Sequence, residues 1–186
     1  MMIVWILVGA LVLAIVWVIG AFNGLVSLKN RTDEAWSDID VQLKRRYDLI
    51  PNLVETVKGY AKHEKQVFED VTKARSAAMS SGGSIADKAQ SENMLTNTLK
   101  SVFAIAENYP ELKANQNFLS LQGELTDTED KIEAARRFYN GIVRDFNTKL
   151  QVFPTNMIAQ NLGFKAREFF EAAAGEREAV KVDFNN

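Results

Sequence analysis

The chain has a single histidine, His63, and it is the first place to look for metal or acid–base chemistry. His63-Glu64 begins like a zinc-protease helix, in which a second His four residues on supplies the next ligand. Position 67 is Val, so that ligand is missing. The di-metal pattern of helical bundles, Glu-x-x-His, needs a Glu three residues earlier, and position 60 is Tyr. Zinc held by one His and no Cys falls outside the usual ligand sets, so His63 reads as a surface or interfacial helix residue and no cofactor is expected. The chain has no cysteine. That excludes disulfides, thiol nucleophiles, zinc–thiolate sites and a lipidated cysteine. There is no Gly-x-Ser-x-Gly elbow and no phosphate loop; Gly82-Gly83 sits in a serine-rich turn.

Two sets of carboxylates remain, Asp33/Glu34/Asp38/Asp40 and Asp127/Glu129/Asp130. Paired carboxylates can do acid–base work, but only where a partner group converges on them. None is evident, and both sets read as solvated helix faces. A denser stretch is Arg45-Arg46-Tyr47-Asp48-Leu49-Ile50-Pro51-Asn52, with two cations, an acid, an aromatic and an amide around a proline. Its plain structural reading is a corner at Pro51, with Asp48 or Asn52 capping and the arginines solvated or ion-paired. Its functional reading is a corner where a partner chain docks through Arg45, Arg46, Asp48, Pro51 and Asn52. Nothing here forms a catalytic constellation, and the chain is expected not to be an enzyme.

The elements that carry these residues are helices. Met2 to Phe22 is an uninterrupted apolar run, and at about 1.5 Å per residue it spans roughly 30 Å, the thickness of a bilayer's hydrocarbon core. No basic region precedes it, and it exceeds the h-region of a cleaved signal peptide. Residues 1–23 therefore read as an uncleaved transmembrane anchor. No charged residue precedes Lys29, whereas Lys29 and Arg31 follow the span closely, with Lys44, Arg45 and Arg46 further on. The positive-inside tendency then places the N-terminus outside and the domain in the cytoplasm.

Beyond the anchor, Leu25, Leu28, Thr32, Ala35/Trp36, Ile39 and Leu43 form one helical stripe, with no strong turn signal between it and the span. The membrane helix is therefore expected to run on into the domain. Pro51 is expected to end or kink it near Leu49. A second stripe runs from Leu53/Val54 through Val71 to Ala78, and Ser80 to Ser84 is a loop. A third runs from Ile85 to Ala106 and stops at Asn108-Tyr109-Pro110. The fourth, from Phe118 through Leu125, Thr128, Ile132 and Tyr139 to Phe146, keeps steps of three and four for about four heptads. Glu124, Asp127, Asp130, Lys131, Arg137 and Arg144 lie on its reverse side. Phe153-Pro154 breaks it, Thr155 to Phe170 reads as one or two short helices, and 171–186 reads as a tail. Without strand-like alternation, the expected architecture is all-α: an anchor followed over 24–170 by an antiparallel four-helix bundle with long helices.

The net charge is −2, from 22 Lys/Arg and 24 Asp/Glu. Nucleic acid is not an expected partner, since that needs a concentrated basic face. The lipid bilayer is one, and the remaining partners are self or other membrane proteins.

The run from Asn30 to Glu64, including Trp36-Ser37-Asp38-Ile39-Asp40 and Tyr47-Asp48-Leu49-Ile50-Pro51-Asn52-Leu53-Val54, closely resembles the LemA family of bacterial membrane proteins. Phe138-Tyr139-Asn140, Phe153-Pro154-Thr155-Asn156, Gly163-Phe164 and Val182-Asp183-Phe184 extend the resemblance along the chain. It implies a bacterial plasma-membrane protein with a single span and a helical-bundle domain, and it carries over no catalytic residue. Some members look like lipoproteins with an extracytoplasmic domain, using a cysteine that this chain lacks. The leading expectation is a membrane-anchored scaffold or interaction protein, self-associating or gathering other membrane proteins. Family context also implies an alternative, an accessory subunit of a membrane protease or envelope stress system. A ligand-sensing bundle is a third reading.

Overall fold

The structure, a computed structural model, describes residues 1–171. Among them there are six helices and no strand: α1 (Met2–Lys58), α2 (Lys65–Ser80), α3 (Ile85–Glu107), α4 (Pro110–Lys113), α5 (Gln116–Gln151) and α6 (Asn156–Ala159). The tail expected over 171–186, and with it Val182-Asp183-Phe184, lies outside the described residues except for Glu171.

Helix α1 joins the apolar run to the first domain stripe without interruption, as the absence of a turn signal requires. It is the one described helix long and apolar enough to cross a membrane, and its apolar window is wholly unburied within the chain. Trp5, Leu7, Leu11, Leu13 and Val16 are all exposed. In water such a surface has no favourable state; in hydrocarbon it is solvated.

Of the two outcomes expected at Pro51, an end or a kink, the end does not occur. Pro51 lies inside α1, which continues to Lys58, and the chain turns instead over Gly59 to Glu64. A proline within a helix removes the N–H that would reach the carbonyl four residues back, here that of Tyr47. Arg75 Nε on α2 donates to Tyr47 O at 2.8 Å and satisfies it. The helix therefore passes its proline because a side chain elsewhere in the fold replaces the lost donor. Gly59, the weakest helix former in reach, follows the last helical residue instead. His63 consequently sits exposed in the α1–α2 turn rather than on a helix.

The chain divides into two compact units. The first comprises Met1–Ile39 and Ala135–Arg167. Its core is Leu25, Phe146 and Ala159, with Leu28, Leu150 and Phe164 packed against them, and Trp36 meets Tyr139 edge-on at 5.5 Å. Helix α5 ends before Phe153, the residue that Pro154 pushes away from helical angles. Of the one or two short helices expected over Thr155 to Phe170, only the single turn α6 forms, and Gly163 (φ 77°) turns the chain after it. An L side chain is disfavoured at that angle, so glycine is the residue that fits.

The second unit comprises Asp40–Ala134 and the described residues from Glu168 onward. Leu43, Leu53, Val57, Phe68, Val71, Leu95, Leu99, Val102, Phe118, Leu125 and Ile132, which belong to the stripes read from the sequence, are buried, and so is Ile50. Helix α3 begins at a capping box: Ser84 Oγ accepts from the Asp87 N–H at 3.0 Å, and the Asp87 carboxylate accepts from the Ser84 N–H at 3.1 Å. Glu168 accepts from Ile85 N at 3.0 Å, placing a second carboxylate at the same positive helix end. Asn115 caps α5 by accepting from Phe118 N at 3.0 Å.

Candidate functional site

The five residues of the expected docking corner separate. Arg46 is buried, 1% exposed, while Arg45, Asp48, Pro51 and Asn52 are solvent-exposed. At about 100° per residue these four share one arc of α1 and Arg46 falls outside it. On the exposed arc Asp48 accepts from Lys44 at 3.1 Å, and Arg45 lies 3.7 Å from Glu124. These are solvent-screened pairs of small energetic weight.

Inside, Arg46 organises a charge cluster from three helices. One terminal nitrogen bonds Glu129 Oε1 on α5 at 2.5 Å and Thr96 Oγ1 on α3 at 2.8 Å. The other pairs with Glu92 on α3, itself buried. The Tyr47 hydroxyl donates to the same Glu92 and accepts from Lys88 Nζ at 3.0 Å. Lys88 stands 3.4 Å from Glu92 and 5.4 Å from the centre of the Tyr47 ring. It also donates to Ala78 O at 2.7 Å, satisfying a carbonyl in the last turn of α2. Two cations thus face two carboxylates in low dielectric, where an unpaired charge would be costly.

Electrostatics favour one protonation state for Arg46 and for Tyr47. Burial alone would lower the Arg46 pKa, but Glu129 and Glu92 outweigh it and raise it above its ordinary value. Burial and then the bond to Glu92 push the Tyr47 phenol far above its ordinary range, with Arg46 opposing only in part. The phenol is therefore a permanent donor and a poor nucleophile. Among the described residues, two buried side-chain atoms, Arg46 Nε and Gln42 Oε1, have no hydrogen-bond partner. They are a donor and an acceptor four residues apart on α1. Chemically the cluster joins α1, α3 and α5 and, through Lys88, the end of α2.

The sequence alone leaves Arg46 solvated, ion-paired or docking a partner, and the structure makes it ion-paired. The sequence puts Glu129 on a solvated face and singles out neither Glu92 nor Lys88. Only Asp127 and Asp130 of the Glu129 carboxylate set are exposed. In the other set Asp33 pairs with Arg167 at 2.6 Å, and Glu34, Asp38 and Asp40 are exposed on α1. A legible clue was the Glu92/Thr96/Leu99 line of α3, which puts an acid in register with its apolar stripe. Among the described residues no group of three or more His, Asp or Glu stands close enough to hold a metal ion.

Each unit has a surface hollow among the described residues. One of about 600 Å³, at the α1–α2 turn, is lined by Lys58, Lys62, Lys65, Lys73, Phe68 and Glu69. Lys58 and Lys73 are paired with Glu55 and Glu69. In the first unit a groove of about 480 Å³ is lined by Phe22, Val26, Lys29, Phe164, Lys165 and Arg167, among others.

The LemA family model matches residues 35–184. The chain is 29% identical to Protein LemA of Metamycoplasma hominis over 165 residues, covering 89% of this chain and 74% of that protein. It is 23% identical to Magnetosome protein MamQ 2 of Paramagnetospirillum magneticum and to Magnetosome protein MamQ of Magnetospirillum gryphiswaldense, covering 86% of this chain and 68% of each relative. The match takes in the whole Arg46 cluster, the α1–α2 turn and all of α2 to α6, and the chain belongs to the LemA family.

Proposed function

We propose that this protein is a single-pass membrane scaffold whose long helices pack as an antiparallel four-helix bundle. It self-associates or gathers other membrane proteins and catalyses no reaction. The observation that carries this reading is α1 itself, one unbroken helix from an exposed apolar span to Lys58. Within α1 no turn separates the span from the first domain stripe, a continuity that a tether to an enzyme does not need. The naming of two relatives as magnetosome proteins supports work at a membrane. In this reading 1–23 is the anchor, 24–170 the bundle and 171–186 the tail. The anchor lies in a bacterial plasma membrane with its N-terminus outside and the domain in the cytoplasm, as Lys29 and Arg31 favour. The exposed arc of Arg45, Asp48, Pro51 and Asn52 receives the partner, and buried Arg46 holds the helix that presents it.

The test is chemical crosslinking in intact membranes followed by mass determination of detergent-purified protein. Higher-order species or co-purified membrane proteins, reduced by charge reversal at Arg45 and Asp48, are expected. A strict monomer at every concentration, with no captured partner, refutes the scaffold.

A further inference from the structure

The membrane-side groove of the first unit has features that a structural crevice does not need. Its floor is aromatic: Phe22, the last residue of the apolar span, meets Phe164 edge-on at 5.9 Å, and Phe164 meets Phe146 at 6.4 Å. Its wall is a segment without regular structure, held in place by side chains. Asn147 accepts from Arg167 N and donates to Arg167 O, each at 2.9 Å. The Arg167 guanidinium is fastened to Asp33 at 2.6 Å. The turn at Gly163 brings Phe164 and Lys165 to the groove.

Lys29 and Lys165 are exposed on its lining, and neither ammonium has a carboxylate partner among the described residues. The lining contains no acidic residue. Lys29 follows Phe22 by seven residues, a rise of about 10 Å along α1. With Phe22 at the edge of the hydrocarbon, that rise puts the Lys29 backbone just beyond a headgroup layer of about 5–8 Å, and the lean of a helical side chain toward the N-terminus returns the ammonium to the layer.

From this juxtaposition of an apolar floor continuous with the span and two cations without a carboxylate partner among the described residues, we infer that the groove seats an anionic phospholipid. The glycerol and upper acyl chain lie against Phe22, Val26 and Phe164, and the phosphate lies between Lys29 and Lys165. Arg167 holds the wall and is already neutralised by Asp33. The volume is in the range of small-molecule sites. The inference rests on the reading of α1 as a membrane anchor.

The full-length protein, purified in detergent, is titrated with phosphatidylglycerol or phosphatidylcholine and observed by native mass spectrometry. Wild type is expected to retain phosphatidylglycerol roughly tenfold or more over phosphatidylcholine, the scale set by two cations beside an anionic headgroup. The Lys29→Glu/Lys165→Glu variant should lose that preference. Lys62→Glu/Lys65→Glu, with the same charge change at the α1–α2 turn, should keep it. Equal retention of both lipids by wild type overturns the proposal, as does undiminished preference in the groove variant or its loss in the control. Displacement of the lipid by excess inorganic phosphate would show a free-phosphate site instead and also overturn it. Circular dichroism checks that both variants are folded, and Lys29→Gln/Lys165→Gln repeats the test with neutral side chains if the reversal unfolds. Release of wild type from vesicles by carbonate would refute the anchor reading as well; retention without lipid preference refutes the groove alone.

Discussion

At the scale of single residues, Arg46 and Glu92 form an ion pair buried at both ends. Arg46→Ala leaves Glu92 buried without its principal cation, and loss of one partner of a buried pair costs about 3–5 kcal/mol. In a chain of this size that lowers Tm by roughly 10 °C, measurable by thermal unfolding of the detergent-solubilised protein. A double-mutant cycle with Glu92→Gln should show coupling, because the second substitution removes the charge that the first leaves unpaired. Additive effects would mean that the cluster is not a unit. Tyr47 adds a pH dependence. Its pKa is raised from the ordinary value of 10.0, first by burial and then by Glu92. The stabilisation is complete below that unfolded value and declines as pH rises above 10, because the unfolded phenol ionises while the folded one does not. Tyr47→Phe should remove that part of the alkaline decline, read as Tm against pH for both proteins.

Helix termini and breaks belong to the scale of the element. Because Arg75 supplies the donor that Pro51 removes, the two positions should be coupled. Arg75→Ala in the native background strands a carbonyl at a cost of about 1–3 kcal/mol. In a Pro51→Ala background the restored N–H serves Tyr47 O, and the same substitution should cost clearly less. Equal costs in both backgrounds would refute this account of how α1 passes its proline. At the start of α3, Ser84→Ala should cost about 1 kcal/mol. Asp87 is held below its ordinary carboxylate range by the Ser84 N–H and then the Ser84 hydroxyl. Its contribution is present above the unfolded pKa of 3.8 and is lost as pH falls through the folded value, so wild type and Asp87→Asn should converge in Tm in acid.

For the whole molecule, the decisive quantity is which side of the membrane the second unit occupies. The chain has no cysteine, so one placed at Gly82 is the only thiol. Gly82 lies in the exposed α2–α3 loop, its nearest neighbour to an added Cβ is Ser80 O at 3.9 Å, and its φ is not in the left-handed region. With Gly82→Cys, a membrane-impermeant maleimide should label lysed cells and leave intact cells unlabelled. Labelling of intact cells would reverse the topology and move the search for partners to the envelope.

The sequence by itself determined the helical periods, the apolar span, its continuity with the first domain stripe, and the buried positions Phe118, Leu125, Ile132 and Phe146. Those follow from hydrophobic spacing, a local property in which each residue's face depends on neighbours three and four positions away. Only the tertiary structure decided the fate of Pro51 and the roles of Arg46, Glu92 and Lys88. A proline's cost depends on whether some distant donor reaches the exposed carbonyl, and Arg75 is 28 residues from Tyr47. Whether an arginine is solvated or buried depends on carboxylates that must arrive from elsewhere. Here Glu92 and Glu129 lie 46 and 83 residues away in sequence and hydrogen-bonding distance away in space. Periodicity shows which side of a helix is apolar; it does not show which charges meet across an interface, because that pairing exists only once the helices have packed.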